Sequence, residues 1–277
     1  FHYFVQHKKY NAPRLNKLKR TCASINNPIA AKLTKAAFSA HRSNRLEAGR
    51  SPVTVNMEFD YLATVYNELA DIGEIDYKFP LKGLKYLPTP EKEMSFLDHS
   101  QIETLLTALQ DQPTDDLELI TLICLNVGTR WGEAQNLKKS QILNGKITLF
   151  GTGTKNGRSR SIPISDYLYS RLKTKGAKKS PNDLLFNVSI EDFYKIMKTL
   201  EFNLPKGQNT HVLRHTFASH FVINGGNILT LKKILDHTDI AVTLKYAHLA
   251  PDHLNDAIKF NPMSAMDTIW TQKKLSA

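Results

Sequence analysis

The stretch at residues 78–94 constrains the fold most, because Pro80, Pro88 and Pro90 interrupt it, charges are scattered through it and no apolar period crosses it. Proline fixes φ and removes a backbone donor, so such a run breaks helices and strands alike. A chain of 277 residues also exceeds what one core usually holds. Together these features predict a first domain over 1–84, a linker over 85–94, a larger domain over 95–260 and a tail over 261–277.

Helical patterning dominates both sides of the break. Asn27-Pro28 and Ser51-Pro52 each read as an N-cap followed by proline at the first helical position, so a helix is expected to begin at each. In the second of these, Val53, Met57, Tyr61, Val65 and Leu69 recur every four residues, with Leu62 and Tyr66 widening the stripe into a predicted core face that ends near Gly73. Beyond the linker, Ser100 can cap a helix through Leu109, and residues 117–126 read as a buried helix leading into Gly128-Thr129-Arg130. Residues 146–150 and 160–164 have strand character around a Gly- and Lys/Arg-rich loop or hairpin, and helices resume from 190 to about 260. The expected fold class is mainly α with a small antiparallel β-sheet.

Charge narrows the partners. The chain has 37 Lys and Arg against 26 Asp and Glu, a net charge of +11, of which +7 falls in the first 92 residues and +4 in the rest. A field of that sign attracts polyanions, nucleic acid above all. Lys8, Lys9, Arg14, Lys17, Lys19 and Arg20 crowd the N-terminal segment and are candidate DNA contacts, as are Arg158 and Arg160 in the second domain. Cys22 and Cys124 stand far apart without a partner motif, which supports neither a disulfide framework nor a thiolate zinc site and fits a reducing cytoplasm. The longest apolar stretch, 119–127, is too short to span a bilayer, so no membrane association is expected.

Four separated segments carry groups suited to phosphoryl transfer. They are Gly128-Thr129-Arg130-Trp131-Gly132-Glu133, Thr154-Lys155-Asn156-Gly157-Arg158, His211-Val212-Leu213-Arg214-His215, and Leu235-Asp236-His237 followed by Tyr246-Ala247-His248. Displacement at a phosphodiester builds negative charge on the phosphate oxygens, and planar guanidinium groups hold two oxygens in fixed geometry. Lys and His can supply and accept the protons. A tyrosine oxygen can conserve the phosphodiester energy in a covalent bond, so ATP is not required. His211 and His215 stand four apart, as a zinc pair would, but Val212 occupies the place of the glutamate such a motif needs.

In the order Arg, Lys, His-x-x-Arg, His, Tyr, these segments resemble the signature boxes of the tyrosine recombinases of phage integrase type over roughly residues 95–260. The resemblance implies a helical core-binding domain followed by a catalytic domain of the DNA breaking-rejoining fold. It implies that Arg130 and Arg214 clamp the scissile phosphate, that His211 and His237 hydrogen-bond it or shuttle the tyrosine proton, and that Lys155 protonates the leaving 5′ oxygen. Tyr246 would be the nucleophile, joined to the 3′ phosphate. Glu133 would orient Arg130, and His248 would support the site, while His215 and His220 are expected to be structural. No metal or other cofactor is implied.

Further expectations are double-stranded attachment sites as substrate, a homo-tetramer on DNA, DNA-bending and directionality proteins as accessories, and a place at the nucleoid in a bacterial cytoplasm. The tail at 261–277 would contact a neighbouring protomer. The chain opens on Phe1 rather than Met, which suggests processing or truncation; similar phage integrases often carry a further N-terminal arm-binding domain, and the sequence leaves open whether one belongs ahead of this chain. A DNA-binding module without catalysis is disfavoured by the intact set of boxes, and a type IB topoisomerase by the two-domain layout and the tail. One departure stands out: Asp236 occupies a position where the family commonly has glycine, so the local backbone is expected to differ and the carboxylate to point away from the phosphate.

Overall fold

The computed structural model describes residues 12–89, 94–150, 159–205, 207–251, 257 and 261–263. Two compact units divide the chain at Lys92 and Glu93.

In the first unit, α1 (Ala12–Ser24), α2 (Lys35–Glu47) and α3 (Pro52–Asp71) enclose a core of Ile25, Leu33, Phe38, Phe59, Leu62, Tyr66 and Leu81. Ser51 caps α3 as expected, its Oγ accepting the Thr54 N–H at 3.3 Å, a contact that contributes about 1 kcal/mol. The helix expected at Asn27-Pro28 does not form. Asn26 (φ 61°) and Asn27 (φ 42°) turn the chain out of α1 in left-handed conformations, only a short 3-10 turn follows at Ala30–Lys32, and α2 waits for its own cap at Thr34.

The core face of α3 also differs from the stripe that periodicity predicts. Val55, Phe59, Leu62 and Tyr66 are buried, whereas Val53 and Met57 are exposed. Polar residues hide the true face, because Asn56 and Glu58 lie on it and find long-range partners. Asn56 exchanges two 2.9 Å hydrogen bonds with the backbone of Leu87. Glu58 accepts from His41 Nε2 at 2.9 Å and from Arg45 at 2.5 Å, and the other His41 nitrogen bonds Ser24 Oγ at 2.7 Å. The proline-broken segment is likewise more than a spacer: Phe79, Leu81 and Leu84 pack on this core, and Arg42 donates to Lys85 O at 2.7 Å.

The second unit builds its core around α5 (Asp116–Val127), a largely buried helix packed between α4 (His99–Gln110), α6 (Trp131–Gln135), α7 (Asp166–Lys175) and α9 (His211–Ile223). Asp98, rather than Ser100, caps α4, in a reciprocal capping box with Gln101. Strands β1 (Ile142–Leu143), β2 (Lys146–Phe150) and β3 (Ser159–Pro163) form an antiparallel sheet in that order, with Ile147 paired to Ile162 and turned inward. β1 is too short for a period to register. After α8 (Ile190–Thr199), α9, α10 (Ile228–Leu235) and α11 (Ala241–Leu244) carry the chain through the C-terminal part of this unit. Among the described residues, no helix is long and apolar enough to cross a membrane.

The end of α5 sets where the chain delivers Arg130. Gly128 stops the helix in the left-handed region (φ 63°), and a Cβ there would meet Phe217 Cδ1 at 2.4 Å and Leu235 Cδ2 at 2.7 Å. Backbone strain and steric overlap therefore act together. Gly128→Ala is expected to lower the stability of the second unit by about 2–4 kcal/mol. Urea unfolding followed by the fluorescence of buried Trp131 measures this, and an unchanged midpoint rejects it.

Candidate active site

Arg130 stands at the N-cap of α6, immediately after the turn that Gly128 makes, and its side chain is 48% exposed. Its Nη1 lies 3.5 Å from Glu133 Oε1, one helical turn on, and its backbone N–H donates to Glu133 Oε2 at 2.9 Å. Glu133 is itself buried. Burial alone would raise its pKa, but the Arg130 N–H and the Arg160 guanidinium, whose Nη2 donates to Oε2 at 2.9 Å, hold it below the usual carboxylate value.

Arg160 was expected to face DNA. Instead its side chain is only 10% exposed, on the inner side of β3, with Glu133 on one edge and Asp236 Oδ2 3.7 Å from Nη1 on the other. That pairing also answers the question of Asp236. Its backbone keeps the left-handed conformation of a helix-ending glycine (φ 55°, ψ 44°), a region aspartate tolerates better than most residues, and caps α10. The carboxylate reaches Arg160.

Arg214 lies on α9 with 5% of its surface exposed. Nη1 donates to Gly128 O at 2.8 Å and Nη2 to Leu235 O at 2.5 Å, so the guanidinium ties the ends of α5 and α10 together. Burial, then the neighbouring Arg130 charge, lowers its pKa to about 10, which leaves it cationic at neutral pH. His211, Arg130, Glu133, Tyr194 and Thr210 line one cleft of about 730 Å³. Desolvation, then the charges of Arg214 and Arg130, lowers the His211 pKa.

His211 and His215 share a face of α9, but their surroundings differ. His215 Nδ1 lies 2.7 Å from the Tyr246 hydroxyl, so a residue expected to be structural touches the expected nucleophile. The spacing to His211 is compatible with a zinc pair, a reading that Val212 disfavours, and nothing in the sequence points from His215 to Tyr246. His237 Nδ1 is anchored on Thr243 Oγ1 at 2.8 Å. Tyr246 follows α11, 3% exposed among Ala218, Val222, Leu231 and Leu235, and burial pushes its pKa up to about 12. His220 holds Leu97 O at 2.8 Å, a structural role, and His248 is exposed in the turn after Tyr246. Among the described residues, no group of three or more His, Cys, Asp or Glu could hold a metal ion.

Lys155 and Arg158 lie outside the described residues, as do Lys8, Lys9 and 264–277 of the tail. In the first unit, Lys17, Lys19 and Arg20 are exposed on α1. Lys17 and Arg20 line a cavity of about 360 Å³ with Arg45, Arg50 and Tyr61, and Arg14 sits over the Tyr61 ring at 5.2 Å. Arg45 and Arg50, far along the chain, join this group only through the fold, and Glu58, which pairs with Arg45, lines the same cavity.

Burial, and then the charges of neighbouring cations, lowers the pKa of His215 and of His237 from 6.5 to about 4. The unfolded chain therefore binds more protons than the folded one between these values, so stability is full above pH 6.5 and declines as pH falls toward 4. Urea midpoints at about pH 7 and pH 5, a window above ordinary carboxylate titration, should differ in that direction. His215→Asn and His237→Asn should each narrow the gap, and equal midpoints for the native chain would reject the account.

Comparison with known proteins agrees over both units. Residues 95–253 match the phage integrase family and residues 1–88 match the phage integrase N-terminal domain. The integrase of Haemophilus phage HP1 is 42% identical over 259 residues, covering 91% of this chain and 74% of that protein. The catalytic domain of bacteriophage HP1 integrase superposes with a TM-score of 0.57 at 48% identity, covering 62% of this chain and 98% of that one. A lambda integrase tetramer bound to a Holliday junction, 15% identical, shares the fold at a TM-score of 0.68 over 84% of this chain and 70% of that one. The chain belongs to the phage integrase family and is a tyrosine site-specific recombinase, an enzyme of DNA integration and excision.

Proposed function

We propose that Tyr246 attacks the scissile phosphate of a double-stranded attachment site, becomes linked to the 3′ phosphate, and later yields that phosphate to a 5′ hydroxyl of the partner duplex. The observation that carries this reading is the convergence on α9 of a buried Arg214, a cleft-lining His211 beside Arg130, and a His215 bonded to the Tyr246 hydroxyl. Arg130 and Arg214 would clamp the phosphate oxygens, since two guanidinium groups can offset the charge that builds there. His211 and His237 would hydrogen-bond the phosphate, with His248 in support, and Glu133 would orient Arg130. Lys155, which falls between β2 and β3 in the sequence, would protonate the leaving 5′ oxygen. This chemistry calls on side chains alone, without ATP, metal or other cofactor.

In this reading the first unit is the core-binding domain. Its α1 residues Arg14, Lys17, Lys19 and Arg20, with Lys8, Lys9 and Arg158, would meet the phosphate backbone. The enzyme would act as a homo-tetramer, with residues 261–277 reaching a neighbouring protomer. Bending and directionality proteins would assist, at the nucleoid in the host cytoplasm. The lambda integrase neighbour, captured as a tetramer on a Holliday junction, supports the assembly.

A nicked suicide DNA substrate tests the nucleophile. The native chain should form a covalent adduct and Tyr246→Phe none, so an adduct that persists in the variant would overturn the assignment. Arg214→Gln should slow adduct formation about 100-fold or more while the site is still bound, as loss of a charge-stabilising donor does. A rate within threefold of native would remove Arg214 from the clamp.

A further inference from the structure

We infer that His215 is the base that takes the phenolic proton of Tyr246 as the tyrosine attacks. The inference rests on Tyr246 being the nucleophile. It concerns the fate of a proton that a buried phenol must lose before its oxygen can bond phosphorus.

The geometry is direct. His215 Nδ1 and the Tyr246 hydroxyl are 2.7 Å apart, within the range at which a positioned base takes a proton. With its own hydrogen on Nε2, the neutral ring accepts the tyrosine O–H at Nδ1. Tyr246 is 3% exposed and packed among Ala218, Val222, Leu231 and Leu235, and its contact with His215 is partly buried. The other histidines assigned to the phosphate have different surroundings. His237 Nδ1 is held by Thr243, and His211, one turn earlier on α9, lines the cleft with Arg130.

In the unliganded site the ring is neutral and a weak base, and the charge of the substrate is what strengthens it. Burial, followed by the charges of His211, Arg214 and Lys245, keeps His215 in its unprotonated form. An entering phosphodiester brings negative charge close to Arg214 and so offsets part of the field that depresses the ring. Proton affinity at His215 therefore rises as the new bond forms. In the balanced step, the bond from Tyr246 Oη to phosphorus forms while the bond from phosphorus to the 5′ oxygen breaks. The phenolic proton passes to His215 Nδ1, and the leaving oxygen takes a proton from Lys155. In the reverse half, the departing tyrosine recovers its proton from His215.

His215→Asn provides the test, because an asparagine amide puts an oxygen near the place of Nδ1. It can hold the tyrosine hydroxyl but cannot take its proton. The substrate is a suicide duplex with sulfur replacing the bridging 5′ oxygen, whose thiolate leaves without protonation, so a defect that persists on it belongs to the nucleophile. On both the oxygen and the sulfur substrate, His215→Asn should form adduct about 100-fold more slowly than the native chain, with DNA binding retained. His215→Gln serves in the same way should the asparagine variant fail to bind DNA.

With the native chain alone, cleavage of the sulfur substrate should show a solvent deuterium isotope effect above one, because the phenolic proton is the one in flight. Adduct formation by His215→Asn at the native rate on the sulfur substrate, or an isotope effect of one, overturns the inference. An adduct in Tyr246→Phe would instead overturn the nucleophile, so the two failures are distinguishable.

Discussion

Arg214 carries a permanent charge into a place where 5% of the residue meets solvent, and it is tolerated because both terminal nitrogens donate to helix-end carbonyls, Gly128 O and Leu235 O. Burying a guanidinium costs several kcal/mol unless such partners are supplied. The last carbonyls of a helix have no intrahelical donor and carry the negative end of its dipole, so two orphan acceptors and one buried cation satisfy one another. The price is geometric: α5 and α10 must end beside α9. Gly128 and Asp236, both left-handed, make those ends.

The same guanidinium sets the electrostatics around it. Its charge and that of Arg130 oppose protonation of His211 and His237, and it lowers the Tyr246 pKa against the larger effect of burial. Glu133 and Asp236 flank Arg160, so that this third cation is largely neutralised within the protein, while Arg130 remains half exposed at the cleft. The substitution of aspartate for the glycine common in the family thus has a local rationale. It preserves the backbone turn and gives Arg160 a second carboxylate.

How far sequence reading reached depends on the range of each signal. Helix α5 was legible because its apolar residues run densely from Leu117 to Val127, and the start of α3 because a cap followed by proline acts locally. The buried face of α3 was not, since Asn56 and Glu58 lie on it and only Leu87, His41 and Arg45, distant along the chain, make them tolerable there. A hydrophobic period cannot register a satisfied polar residue. The helix expected at Asn27-Pro28 failed for a related reason, because left-handed asparagines make a turn whose sequence resembles a cap.

The sequence by itself determined the type of chemistry, because the boxes from Arg130 to Tyr246 specify the kinds of charged, proton-carrying and nucleophilic groups present, although their proton affinities are then set by burial. It also determined the helical class, which arises from local propensity. Only the tertiary structure decided that Arg160 turns inward, that Asp236 balances it, and that His215 rather than another histidine meets the Tyr246 hydroxyl. Those outcomes depend on distances between α6, β3, α9, α10 and the turn after α11, and such distances are products of packing.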